Sequence, residues 1–126
     1  MFRIKFFADS QGNEPVRVFL DELKRKAATN KIDRIRLKKI VECLSYFEEH
    51  GAKLGEPNVK HIVDDIWELH PLNDRVFFFH WHNRDLVLLH HFTKKSRTTP
   101  QREIEQAKRN QKDFLANYEE RGFSDE

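Results

Sequence analysis

Near residue 55 the spacing of apolar residues in this sequence changes from a helical period to a strand period, and this change limits the folds open to the chain. Upstream, Val16, Phe19, Leu20 and Leu23 recur at helical spacing after "ADSQGNEP", a run of turn-forming residues. Pro15 suits the first turn of that helix, which should end near Ala28. A second helix is predicted from about Lys31 to His50, with a stripe of Ile32, Ile35, Leu37, Ile40, Val41, Leu44 and Phe47 and with Gly51 as its cap. Two helices this close in sequence form a hairpin. "GAKLGEPN" reads as a loop.

Downstream, "IWELH" alternates, with Ile66, Glu68 and His70 on one face and Trp67 and Leu69 on the other. "RVFFFHWH" and "LVLLHHF" are too apolar to be half solvated, so both faces of these strands should be covered. "VKHIV" carries a weaker strand signal. "FRIKFF", at the start of the chain, alternates too and places Arg3 and Lys5 on one face. A last helix runs from about Pro100 to Tyr118. The expected architecture is β-α-α-β-β-β-α in the α+β class. It has an antiparallel sheet, the helical hairpin on one face, and the C-terminal helix on part of the other face or its edge. The expected core includes Phe19, Leu23, Leu37, Leu44, Trp67, Leu69, Val76, Phe78 and Leu89.

A chain of 126 residues predicts one domain, residues 1–126, large enough to bury a core without staples. The charged fraction of 35% is high, but eleven Phe provide burial that a disordered chain lacks. Cys43 is the only cysteine, which excludes an internal disulfide and points to a reducing cytoplasm. It lies on an apolar helical stripe and reads as a structural thiol. No apolar run is long enough to span a membrane, and "MFRIKFFADS" lacks a signal peptide's apolar stretch.

Net charge is only +2, so the distribution matters more than the total. Lys24 to Lys39 carries eight basic residues against one acid, Asp33. That run reads first as a solvated helix face, and second as a contact to ribosomal RNA. Lys94 to Lys112 carries seven basic and two acidic residues, and it begins where an apolar strand ends. Such a junction suits the edge of a site for a polyanion. His80 and His82 stand two apart, but no Cys or suitably spaced carboxylate completes a metal site. No nucleophile triad order and no phosphate-binding Gly loop is present.

The segment "IWELHPLNDRVFFFHWHNRDLVLLHHFTKKSRTTPQREIEQAKR" resembles the C-terminal half of phage-derived HigB-like toxins of the RelE/ParE superfamily. The shared order is a strand with W-E-L, a turn, an Arg opening an aromatic strand, an apolar strand ending in Phe, paired Lys, Thr-Pro, and a helix with "EIEQAKR". Upstream, "PVRVFLDEL" is similar to the family's first helix. The resemblance implies a RelE-like, microbial-RNase-like fold and the toxin of a type II toxin–antitoxin pair. It implies a cytoplasmic protein that cuts mRNA on the ribosome without metal or other cofactor. It further implies a helix-turn-helix antitoxin that covers the cationic face, the toxin being either monomeric or bound in a hetero-oligomer with that antitoxin. ParE-like members inhibit DNA gyrase instead and cut nothing, and a non-enzymatic phage-derived nucleic-acid-binding protein is a third reading.

Metal-free RNA cleavage needs cations around the phosphorane, a base for the 2′-hydroxyl and an acid for the leaving oxygen. The matching candidates are Arg75 for phosphate, Lys94 and Lys95 as paired cations with one suited to act as base, and His70 and Glu68 as acid, base or orienting groups. Lys60, Arg97 and His91 are candidate RNA contacts. His70 departs from the Arg common at that position. The tyrosine used by some ribosome-dependent relatives has no counterpart, since Tyr46 and Tyr118 fall at helix packing positions. An antiparallel turn at "PLND" should bring Arg75, His70, Lys94 and Lys95 to one sheet edge.

Overall fold

The computed structural model describes residues 1–52, 58–82 and 84–120, the last three of these by backbone alone. Its elements are β1 (Arg3–Phe6), α1 (Pro15–Ala27), α2 (Lys31–His50), β2 (Val59–Val63), β3 (Ile66–Leu69), β4 (Asp74–Trp81), β5 (Asp85–Thr93) and α3 (Gln101–Glu120). The fold is α+β with one five-stranded sheet in the order β1-β5-β4-β3-β2. "VKHIV" is therefore a full strand, β2, paired antiparallel to β3. Of the loop "GAKLGEPN", residues 53–57 lie outside the described residues.

Local chemistry accounts for the element ends. Asp9 accepts from the backbone N–H of Gln11 and of Asn13, both at 2.9 Å, which closes the turn before α1. Pro15 is at the start of α1. The Asn30 side chain caps α2 by accepting from the N–H of Asp33 at 3.0 Å. Gly51 ends α2 at φ 76°, and a Cβ there would come within 2.7 Å of the Phe2 ring.

The sheet is antiparallel except for β1, which runs parallel to β5. Ile4, Phe6 and Phe7 dock β1 into the core, and Asp85, 3% exposed, pairs with its cations: Arg3 Nε lies 2.8 Å and Lys5 Nζ 3.4 Å from the carboxylate. The two cations expected on one face of β1 thus share one acid.

The helices α1 and α2 cover one sheet face over Val16, Cys43, Phe47, Leu69, Val76, Phe78, Leu86 and Leu88. The other face buries Ile66, Phe77, Phe79, Val87 and Leu89 under Ala107 of α3, with Ile104 and Phe114 packed against them. Phe77, Phe78 and Phe79 are all within 2% of full burial, as a strand covered on both faces requires. Of the expected core, Leu23, Leu69, Val76, Phe78 and Leu89 are buried, and Phe19, Leu37, Leu44 and Trp67 are partly buried. The α2 stripe is narrower than expected. Its buried positions are Ile40, Cys43 and Phe47, whereas Ile32, Ile35 and Val41 are exposed. Ile35 and Val41 are roughly a third of a turn off that stripe.

One irregularity aims the residues that matter below. Phe77 pairs with His90 while Phe78 pairs with Leu88, so Leu89 is an extra residue in β5. The bulge reverses the alternation beyond it. It sends His91 to the helical-hairpin face and Phe92 to the α3 face.

Candidate functional site

The ends of β3, β4 and β5 meet at one corner of the sheet. Arg75 lies opposite Phe92, and the N–H of Lys94 donates to the Asn73 carbonyl at 2.8 Å. Leu72, in the β3–β4 turn, is held at φ 60°, a conformation costly for a branched side chain. That strained turn aims the Leu72 carbonyl at Arg75, whose Nη1 donates to it at 2.7 Å and to the Asp74 carbonyl at 2.9 Å. Arg75 is 7% exposed and forms no ion pair among the described residues.

Arg75 lines a narrow cleft together with Lys60, Glu68, His70, Phe92, Lys94, Arg97, Thr98 and Thr99. Among the described residues, four cations thus converge there against a single acid. That acid, Glu68, is already engaged: His70 Nε2 lies 2.6 Å from its Oε1, and Thr99 donates to Oε1 at 3.3 Å and to Oε2 at 3.1 Å. Burying a guanidinium without an anion is costly. Such a cleft is complementary to a phosphate, which a guanidinium binds through parallel N–H groups.

The cleft brings together Arg75, Lys94, His70, Glu68, Lys60 and Arg97. It leaves out two candidates. Lys95 lies across Phe92 in a broader depression with Thr93, Ser96, Pro100, Arg102 and Glu103. Adjacent residues of an extended segment point to opposite sides, so the paired lysines line different depressions. His91 lies on the helical-hairpin face because of the bulge. It stacks on Phe19 with ring centroids 3.4 Å apart, and its Nε2 donates to Asp74 Oδ1 at 3.0 Å. Glu68 orients His70, and among the described residues it makes no bond to Arg75.

Sequence reasoning missed Phe92, Thr98 and Thr99 as lining residues, and Asp74 as the support beneath them. Asp74 is fully buried. Arg36 donates to it twice, through Nε at 3.0 Å and Nη2 at 2.8 Å, and Thr93 donates at 3.2 Å. Burial pushes the Asp74 carboxyl up, but the bonds from His91 and Arg36 outweigh this and hold it at about 2. Burial pushes His91 down against the pull of Asp74, so it stays a neutral donor. Both folded values lie below the unfolded ones, 6.5 for His91 and 3.8 for Asp74, so both contribute stability at neutral pH that acid removes. Urea unfolding at a series of pH values should show stability falling from about pH 6.5 as unfolded His91 takes up its proton. A further loss of about 2 kcal/mol should follow between about pH 4 and pH 2 from Asp74.

Other groups fall outside this corner. His82 has left the strand at φ 57°, so it does not share a strand face with His80, and no cluster of three metal-ligating side chains occurs among the described residues. Cys43 is buried, and burial pushes its thiol up, as a structural thiol requires. Tyr46 is 49% exposed on α2 instead of packed, and the Tyr118 side chain lies outside the described residues. In the basic run, Arg36 is diverted to Asp74, Arg34 donates to the Ala27 carbonyl and Arg25 pairs with Glu22, while Lys24, Lys26, Lys31 and Lys38 are exposed. No helix among the described residues is long and apolar enough to cross a membrane.

The family described as "Phage derived protein Gp49-like (DUF891)" matches residues 19–112, about three quarters of the chain. The match spans every residue that lines the cleft. No curated protein matches the chain.

Proposed function

The chain belongs to the phage-derived Gp49-like family, and from that membership and the cationic cleft we propose that it is the toxin of a toxin–antitoxin pair and cleaves mRNA on the ribosome without a metal. The observation that carries this reading is Arg75, nearly buried yet without a counter-ion among the described residues, at the centre of a cleft with three further cations.

The roles follow from the chemistry of phosphoryl transfer. Arg75 clamps the non-bridging oxygens of the scissile phosphate, and their charge grows as the 2′-oxygen attacks. Lys94, Arg97 and Lys60 supply the surrounding positive field. His70, held by Glu68, is the group suited to move a proton near neutral pH. The 2′-oxygen bonds to phosphorus, the bond to the 5′-oxygen breaks, and the products are a 2′,3′-cyclic phosphate and a free 5′-hydroxyl. A helix-turn-helix antitoxin that covers this corner would exclude the RNA. The similarity of the sequence to HigB-like toxins and the exposed lysines of α1 and α2 support a ribosome-bound substrate.

The two lysines provide a test of the geometry. Lys94→Ala removes a cation from the cleft and should slow cleavage of mRNA in a translating extract by roughly a hundredfold. Lys95→Ala should cost only the few-fold effect of a neighbouring backbone contact. Chelators should change neither rate. Equal losses for the two variants would mean that Lys95 reaches the same phosphate.

A further inference from the structure

Thr99 has no role in the reading so far, yet it holds the acid of the cleft. Glu68 is 1% exposed and has no cationic side chain bonded to it unless His70 is protonated. A carboxylate buried in this way needs hydrogen-bond donors. Its donors are the His70 ring and the Thr99 hydroxyl, the latter reaching both oxygens from 31 residues away. Thr99 is itself well anchored. The next residue, Pro100, biases it to an extended backbone. The Pro100 carbonyl accepts from the N–H groups of Glu103 and Ile104 at 3.0 and 3.4 Å, which fixes the first turn of α3. Among the described residues, the Thr99 hydroxyl is the one side-chain hydrogen bond that ties the loop carrying Lys94 and Arg97 to β3.

We propose that Thr99 is a positioning residue: its hydroxyl holds Glu68 so that the carboxylate accepts a hydrogen bond from the Nε2–H of His70, leaving Nδ1 as the ring nitrogen offered to bound RNA, and it pins the cationic loop against the cleft. The inference rests on the RNA-cleavage reading for its consequence but not for its geometry. With Nε2 donating to Glu68, Nδ1 accepts a proton when the ring is neutral and donates one when the ring is charged. One of the two proton transfers of the proposed reaction can then pass through this nitrogen, whose direction Thr99 sets through Glu68.

The test uses the full chain carrying Thr99→Val, which keeps the shape and removes the hydroxyl, and Thr99→Ser, which restores it. Long-range 1H–15N correlations of the His70 ring report its tautomer without any activity. The wild type and Thr99→Ser should show one tautomer with the proton on Nε2, and Thr99→Val a mixture of two. Thr99→Ala, which also lacks the hydroxyl, should redistribute the ring in the same way, so the proposal stays testable if the Val variant folds poorly. Single-turnover cleavage by Thr99→Val should fall about tenfold or more and be restored in Thr99→Ser. A His70 tautomer in folded Thr99→Val or Thr99→Ala that matches the wild type would overturn the proposal. If even the wild type cuts no RNA but the tautomer shifts as stated, the positioning role stands and the RNA-cleavage reading fails.

Discussion

Arg75→Ala should abolish toxicity on induction while the protein stays folded and still binds its antitoxin. Arg75 contributes a guanidinium to a cleft with four cations, and it is the one among them that is 7% exposed and anchored on two backbone carbonyls. That anchoring uses Nη1 and leaves Nε and Nη2 without a partner among the described residues, so the guanidinium is oriented before any phosphate arrives. Removing one preorganised donor to a developing oxyanion typically costs on the order of 3 kcal/mol, a hundredfold or more in rate. Folding should be spared because the side chain stands at the start of β4, outside the apolar clusters on either face. Growth curves after induction, paired with circular dichroism of the purified variant, check both halves. Retained growth arrest by a folded Arg75→Ala protein would remove Arg75 from the mechanism and favour a toxin that acts by binding, such as a gyrase inhibitor.

The largest effect on stability is expected one residue earlier. Asp74→Ala leaves His91, Thr93 and the Nε and Nη2 groups of Arg36 without the fully buried carboxylate they point at, while Arg36 Nη1 keeps its bond to Asp33 at 2.9 Å. Breaking a buried pair from one side costs about 3–5 kcal/mol. That is a large part of the roughly 5–15 kcal/mol that holds a domain of this kind together. Thermal unfolding should drop by roughly 10–20 °C. The same carboxylate joins α2 through Arg36 to β4 and β5, so its loss should also loosen the strand ends that carry Arg75 and Lys94. A double mutant of Arg36→Ala with Asp74→Ala should lose less than the sum of the two single changes, because the stranded charge goes with its partner. Strict additivity would show that the pair does not act as a unit.

These two neighbours differ in how far the sequence reveals them. Arg75 could be placed by counting: an antiparallel turn at "PLND" sets it beside the end of the next strand, and the resemblance to HigB-like toxins marks the same Arg. His70 and Lys94 follow from the same pairing and line one cleft with Arg75, as do Glu68, which shares the strand face of His70, and Lys60 and Arg97, which the sequence offered as RNA contacts without placing them. Asp74 reads as a turn residue, and nothing local indicates that Arg36, 38 positions away on a basic helix, pairs with it. The placements of His91 and Lys95 have different physical origins. A strand pattern of period 2 predicts which residues share a face only while the ladder stays regular. The bulge at Leu89 breaks that regularity and turns His91 toward Phe19. Past β5 the alternation of an extended segment separates Lys94 from Lys95, which composition counts as a single cationic pair.

The layer arrangement was similarly legible where burial is local and illegible where it is not. The unbroken apolar run of β4 announces a strand covered on both faces, and α1, α2 and α3 do cover it. That β1 should run parallel to β5 has no local sign. It rests on Ile4, Phe6 and Phe7 packing into the two core layers, with Arg3 and Lys5 meeting Asp85 some eighty residues later.

The most direct test of the account is to map RNA ends in a purified translating system supplied with the wild-type protein and a chelator. The account predicts new mRNA fragments ending in 2′,3′-cyclic phosphate, with matching 5′-hydroxyl ends, absent when Arg75→Ala is used instead. Intact mRNA in the presence of the folded wild-type protein, together with loss of gyrase supercoiling in a parallel reaction, would contradict it.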